Sequence, residues 1–434
     1  MFRKLAVAAA LAFAPQAASA QGSQGATVNA AVYGGDAAWV LVCSALVVLM
    51  TLPGLGLFYG GRVRAKNVLS VLLQIGAVAA LASVLWTVVG YTLAFGDSAG
   101  GWLGGGQKWM LIDLTAFRGG TTLPESTFAL FQMSLAAFAP ALMVGAWADR
   151  ARFGWVLAFT GAWSLLVYAP VAHWIWGGGW LDGLGVRDFA GGLVVHTTAG
   201  VSALVVALLL GKRQGFPSVT PPPHAPGLTL LGAMLLWVGW FGLTGGSALT
   251  AGDDASIAII NTHVAAASAA LAWLLVEKMK SGKPTTAGFA KGAVAGLVTI
   301  TPAAVFVSPG AALVLGLAGA LTSFWMITLI KNRWGIDDSL DVFAVHGVGG
   351  MLGTLLLAVF ASEMLGGVGY VEGSMAGALV AQGIGVAVTA IYAAVVTAVL
   401  AVAISLFMPM RVSEEDELEG LDIASHSERA WQPD

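Results

Sequence analysis

The chain has 434 residues, 58% of them hydrophobic and only 10% charged, with a formal net charge of −3 and a mean hydropathy of +0.83. Soluble domains carry about 25% charged residues, so the composition excludes a water-soluble globular protein and points to a polytopic membrane protein. The small net charge excludes a nucleic-acid partner, and a single cysteine, Cys43, excludes an intrachain disulfide framework or a cysteine metal site.

The N-terminus reads as a targeting segment. Arg3 and Lys4 form a positive region, Leu5 to Phe13 a short apolar one, and Ala18-Ser19-Ala20 an A-x-A cleavage signature. Residues 1–20 are therefore expected to be a cleaved signal peptide, leaving a mature N-terminus near Gln21 outside the cytoplasm. Beyond it, membrane helices of ~20 apolar residues are expected at 37–59, 68–95, 126–147, 153–174, 190–210, 227–247, 255–276, 286–307, 310–331, 341–362 and 377–407. The fold class is an all-α polytopic membrane protein of eleven transmembrane helices spanning 37–407, with a tail at 408–434. With the N-terminus outside, fifteen Lys and Arg fall in inner loops or the tail and three (Lys108, Arg118 and Arg187) in outer loops. That bias is the positive-inside pattern. It predicts an N-out, C-in layout with the acidic tail "EEDELEGLDIASHSERAWQPD" in the cytoplasm.

The fifth and tenth segments each hold a histidine in apolar surroundings, His196 in "VVHTTAG" and His346 in "AVHGVGG". Ionisable side chains in membrane helices are costly and mark substrate or proton paths by default. His196 lies roughly 10 Å into a helix that starts outside, and His346 a few residues into one that starts inside. "GLGLFYGGR" in the first segment and "WFGLTGGS" in the sixth also resemble each other. An inverted five-helix repeat plus a final helix follows, with the path at the repeat interface. A metal needs three or four ligands, and no Cys, Asp or Glu pattern near the histidines supplies them. No nucleophile–base constellation suggests an enzyme, and no cofactor is expected.

"HWIWGGGW" closes the fourth segment. Trp174, Trp176 and Trp180 fit an interfacial aromatic belt, but the bare turn Gly177 to Gly179 also lets a ring face a vestibule and attract a cation. Asp188, eight residues before His196, either caps the fifth helix or attracts a cation. Ser247 either accepts a hydrogen bond from a small donor or packs.

"GAWADRARFG", "DFAGGLVVH", "WFGLTGGS", "TPAAVFVSPG", "DDSLDVFAVHGVGG" and "EGLDIASHSE" occur in order along residues 37–428, and together they resemble the ammonium transporter family (Amt/Rh), bacterial Amt branch. The resemblance implies a homotrimer with one pore per subunit in the bacterial inner (cell) membrane. By it, His196 and His346 are the twin pore histidines, with Phe131, Leu243, Trp240 and Thr301 at pore positions. Trp176, Ser247, Asp188 and Leu135 fall at the ammonium-recruitment site. The implied scheme recruits NH4+ outside, deprotonates it, conducts NH3 through a hydrophobic pore and reprotonates it inside, with or without net proton transfer. Methylammonium is the substrate analogue.

Two departures stand out. The family's F-Q-x-x-F ends here in Leu135, and W-F-G-F-N-A-G-S carries Leu243 and Thr244. They imply weaker outer binding or altered gating, although leucine still excludes water. The tail resembles a regulatory segment that packs across subunits and couples to a PII-type signal protein, with Ser427 replacing the usual glycine. Asp149 and Arg152 are expected to hold helix ends and the tail. The rival readings are an ammonium sensor with little flux and an Rh-like neutral NH3/CO2 channel; Trp176 and Ser247 favour the Amt branch, while Leu135 and Leu243 lean towards the Rh-like channel.

Overall fold

The computed structural model describes residues 30–218, 222–371 and 373–431; the expected signal peptide lies outside them. Among these residues the architecture is all-helical, apart from a two-residue hairpin pairing Ser98–Ala99 with Leu103–Gly104. Among the described residues, ten helices are long and apolar enough to cross a membrane: α1 (Tyr33–Gly60), α2 (Ala65–Phe95), α3 (Glu125–Trp147), α4 (Phe153–Gly183), α5 (Gly192–Leu210), α6 (Pro226–Ser247), α7 (Asp253–Ser281), α9 (Pro309–Arg333), α10 (Phe343–Phe360) and α11 (Met375–Ser405).

The expected segment 286–307 is corrected. Its helix, α8 (Thr286–Ile300), stops after 15 residues, and residues 301–306 form consecutive turns. Thr301 still has helical backbone (φ −49°, ψ −48°), but Pro302 after it has no N–H to continue the ladder. Its carbonyl instead accepts the amide of Phe189 (3.2 Å) at the entrance to α5. The fourth segment, expected to end at 174, stays helical to Trp176; the glycines 177–179 then break it, and a separate turn of helix covers Trp180–Gly183.

Glycine decides how the helices meet. A Cβ on Gly232 of α6 would lie 2.1 Å from the Phe58 amide of α1, and one on Gly242 2.8 Å from the Cys43 carbonyl. The two contacts run in opposite directions, so α1 and α6 are antiparallel. In the same way a Cβ on Gly200 of α5 would lie 2.2 Å from the Gly347 amide, and one on Gly350 2.4 Å from the Gly192 carbonyl. Hence α5 and α10 cross antiparallel with their backbones in contact, as small residues permit in membranes. Both histidine-bearing helices open with a wide π-type turn, Gly192–Thr197 and Phe343–Gly347.

At one end of the bundle, called here the tail face, the loops and tail are tied together by ions. Arg213 pairs with Asp337 (2.8 Å) and Asp149 (2.9 Å). Arg152 donates to the Met410 and Arg411 carbonyls at 2.9 and 2.8 Å. The tail folds as α12 (Glu414–Glu419) and α13 (Leu421–His426). Asp422 accepts the Ser70 amide (2.8 Å) at the start of α2, and Asn67 accepts the Leu421 amide (2.8 Å).

Candidate functional site

The helix crossing brings His196 and His346 together in the core. Both are buried; their Nδ1 atoms lie 3.3 Å apart and their ring centroids 5.2 Å apart. A hydrogen bond between two Nδ1 atoms requires a proton on one of them only. The ring that donates through Nδ1 then presents a bare Nε2, and the other presents Nε2–H. His196 Nε2 has no partner, so it faces the core with unused hydrogen-bonding capacity.

The surroundings fix the rings. The Trp240 indole stacks on His196, centroids 5.2 Å apart and planes 11° from parallel. Its Nε1 donates to Thr301 Oγ1 (2.9 Å), whose hydroxyl in turn donates to the Leu297 carbonyl (2.7 Å). Phe138 meets both His196 and Trp240 edge-on, at 6.2 and 5.9 Å. Thus Thr301 orients Trp240, and Trp240 with Phe138 orients His196.

Away from the tail face, a vestibule of about 150 Å³ opens between Phe128, Gln132, Leu135, Trp176, Phe189, Ser247 and Leu249. Three of the four expected recruitment residues, Trp176, Ser247 and Leu135, line it together. The Ser247 hydroxyl donates to the Leu243 carbonyl (2.8 Å), leaving its oxygen lone pairs to accept from a ligand. Trp176 Nε1 donates to the Asp188 carbonyl (2.6 Å), which fixes the indole plane. Trp174 and Trp180 instead pack with Trp102 of the hairpin, centroids 5.9 and 5.6 Å away.

Asp188 does not line the vestibule. Its Oδ1 accepts the amides of Gly191 (3.1 Å) and Gly192 (2.6 Å), and its Oδ2 those of Leu193 (2.7 Å) and Val194 (2.9 Å). The capping alternative is therefore the one its contacts make, and any pull on a cation acts at a distance. Burial pushes its carboxyl above the ordinary aspartate value, against the downward pull of those four amides.

Phe131, Leu135 and Phe138 fall at i, i+4 and i+7 of α3, one stripe leading from the vestibule to the histidines. Phe131 and Leu243 are fully buried. Gly246 admits the Phe131 ring, since a Cβ there would lie 2.5 Å from it. Thr244 bonds to Thr262 of α7 (2.8 Å) and to the Trp240 carbonyl (3.0 Å), joining α6 to α7. Sequence reading left out Gln132, whose buried Oε1 has no partner. The signal was its place in "FQMSL", one helical turn from Leu135. Phe138 was likewise legible as the next position of the α3 stripe.

An aromatic vestibule and a buried histidine pair, inside a bundle of apolar helices, define a multi-pass membrane protein of the transporter class. The sequence model described as Ammonium Transporter Family matches residues 38–431, and the chain belongs to that family. It is 44% identical over 406 residues to an ammonium transporter of Bacillus subtilis, covering 92% of this chain and 98% of that one. It is 42% identical over 399 residues to ammonium transporter Amt1 of Archaeoglobus fulgidus, covering 92% and 99%. Among solved structures it resembles Mep2 of Saccharomyces cerevisiae (TM-score 0.83, 33% identity, 93% of this chain and 95% of that one). It also resembles one described as a sensor Amt protein (TM-score 0.87, 30% identity, 92% and 100%).

Proposed function

We propose that this ammonium transporter takes up ammonium by drawing NH4+ into the vestibule, deprotonating it and passing NH3 across the Phe131–Leu243 layer to the histidines. A bare cation in a dry core is expensive, whereas ammonia is small and neutral. In the vestibule, the Trp176 face attracts the cation through its quadrupole and Ser247 accepts one of its N–H bonds. His196 and His346 carry the released proton, since an imidazole pair can hold it and hand it on. The observation that carries this reading is the 3.3 Å Nδ1 contact in a buried crossing, where one proton serves two rings.

The proposal includes eleven spans in an N-out, C-in layout across a bacterial inner membrane, with 408–434 as a cytoplasmic regulatory tail open to a PII-type partner. The inverted repeat is supported by the antiparallel pairing of α1 with α6 and of α5 with α10. A homotrimer is supported by His263. It is exposed on α7, beside Trp237 and Phe241 (5.3 and 5.9 Å), on an otherwise apolar outer face. An ionisable group facing lipid is costly; a second copy of the chain removes it from lipid.

The test is electrophysiology on supported membranes with ammonium, comparing wild type with His196→Ala. Ammonium-dependent current in the wild type, lost or altered in the variant, is expected. Similarity to a protein described as a sensor supports a second reading, ammonium binding with little flux. Methylammonium flux into vesicles separates the two, because a sensor carries almost none.

A further inference from the structure

Each histidine is preceded at the same distance by a buried aspartate. Asp188 stands eight residues before His196, and Asp338 eight before His346. Each caps the π-type turn carrying its histidine, and in each the third residue after the aspartate has left-handed backbone, Gly191 (φ 107°) and Asp341 (φ 68°). The local frame is therefore the same at both ends of the path. The bonding is not. Asp188 has both oxygens filled by four amides. Asp338 Oδ2 accepts the Phe343 amide (2.8 Å), while its Oδ1 is buried with no partner, in a side chain only 1% exposed.

A carboxylate oxygen without a donor in a dry site is costly, and a proton on it removes the charge. The groups around Asp338 come from three directions. Asp341 lies in its own turn, Lys331 at the end of α9 and Tyr59 on α1. Arg62 and Lys331 are themselves ion-paired to Asp341, and Lys291 of α8 also faces that carboxylate, so the positive charge is directed to Asp341 rather than Asp338. Burial by itself would raise the Asp341 carboxyl, but the three cations more than offset it and hold it well below the usual range. Burial and the neighbouring Asp341 charge, by contrast, push Asp338 up to about 6.

We propose that Asp338 is the proton-carrying residue at the tail-face end of the path, taking the proton from the histidine pair and releasing it to that side. This rests on the reading that the histidines hold the proton. The step breaks an N–H bond of the protonated pair and forms O–H at Asp338 Oδ1, by way of water. It returns the pair to neutral, and Asp338 then gives the proton to bulk water. His346 lies three residues, roughly 5 Å of helix rise, beyond the capped amide of Phe343. Asp188 cannot play the same part without giving up its capping bonds; Asp338 can, because Oδ1 has none to lose.

The test is ammonium-driven current in proteoliposomes, with the pH on the tail-face side varied and the other side fixed. Wild-type current should fall as that side is acidified through about pH 6, where Asp338 stays protonated. Asp338→Asn, which keeps an oxygen for the Phe343 amide, should lower the current about 10-fold or more and flatten the profile; Asp338→Glu should restore part of both. Should Asp338→Asn not fold, Asp341→Asn reads the same group. It removes the like charge and should move the wild-type profile to lower pH. A wild-type current matched in size and pH profile by Asp338→Asn, or a profile unmoved in Asp341→Asn, overturns this inference alone. No ammonium current in wild type, with methylammonium flux intact, overturns the proton-carrying histidines and this inference with them.

Discussion

Gly200 and Gly347 meet backbone to backbone: a Cβ on Gly200 would stand 2.2 Å from the Gly347 amide nitrogen. Gly200 follows His196 by four residues and Gly350 follows His346 by four, so each histidine sits one helical turn before the glycine that admits the other helix. Gly200→Ala should therefore push α5 from α10 and part the two Nδ1 atoms. Overpacking of this kind costs ~1–3 kcal/mol, and misplacing the rings by ~1 Å costs about 100-fold in rate. Gly383→Ala on α11, with nothing within 4 Å, should match wild type in thermal unfolding and methylammonium flux. Equal flux in Gly200→Ala and wild type would refute the packing argument.

Replacing either histidine should abolish or alter selective ammonium transport. His196→Ala removes the ring stacked between Trp240 and His346 and leaves His346 Nδ1 without its 3.3 Å partner. His346→Ala leaves His196 with neither ring nitrogen bonded. Both variants should lose ammonium-evoked current on supported membranes. Currents from both that match wild type in size and in ammonium-over-potassium selectivity would sink the proton-carrying reading.

Much of this site was legible in the sequence, because its signals were chemical. A histidine in an apolar run is conspicuous whatever the fold, and Trp176, Ser247 and Leu135 line one vestibule. Asp188 was left between two roles, since an aspartate before a helix looks the same whether it caps or attracts a cation; only its four amide bonds separate these. The end of α8 was misjudged because an apolar run continues past Ile300, and hydropathy does not register the proline that breaks the ladder. Asp338 passed unnoticed because "DDSLD" reads as a solvated acidic loop until burial and ion pairing show which carboxylates are neutralised.

The two leucines should set vestibule affinity. Leu135 lines the vestibule and Leu243 is fully buried, both at positions where the family resemblance implies phenylalanine. Leu135→Phe with Leu243→Phe places an aromatic face beside the cation, adding ~0.5–2 kcal/mol of attraction. The ammonium concentration for half-maximal current should fall about 2- to 30-fold, 1.4 kcal/mol being tenfold. Unchanged affinity and rate in the double variant would show that the leucines do not tune recruitment.

The Arg213–Asp337 pair should make stability pH-dependent. Burial by itself raises the Asp337 carboxyl, but hydrogen bonds and charge from Arg213 outweigh it and hold it below the ordinary value. A depressed carboxylate stabilises the fold fully above its unfolded value, about 3.9, and that contribution is lost as pH falls through the lower folded value. Asp337→Asn should cost about 3–5 kcal/mol at neutral pH, with the gap from wild type narrowing below about pH 4. Thermal unfolding of both proteins across pH checks this, and a gap constant down to pH 3 would contradict it.

Ser427 closes α13 in left-handed backbone (φ 56°), its amide bonded to the Ile423 carbonyl (3.0 Å) and that of Glu428 to the Asp422 carbonyl (3.0 Å). A helix end of this shape favours glycine, the residue the family resemblance implies here. Left-handed backbone costs a non-glycine residue ~1–2 kcal/mol, offset in part by glycine's greater chain entropy of roughly 0.5–1 kcal/mol. Ser427→Gly should thus tighten the docked tail by up to about 1 kcal/mol, near a factor of 5 in its open population. Ser427→Val, β-branched and worse suited to that backbone, should loosen it. Cleavage rates of the tail under limited proteolysis should then rank Val fastest, Ser next and Gly slowest; Gly cleaved as fast as Val would mean that backbone strain at Ser427 does not govern docking.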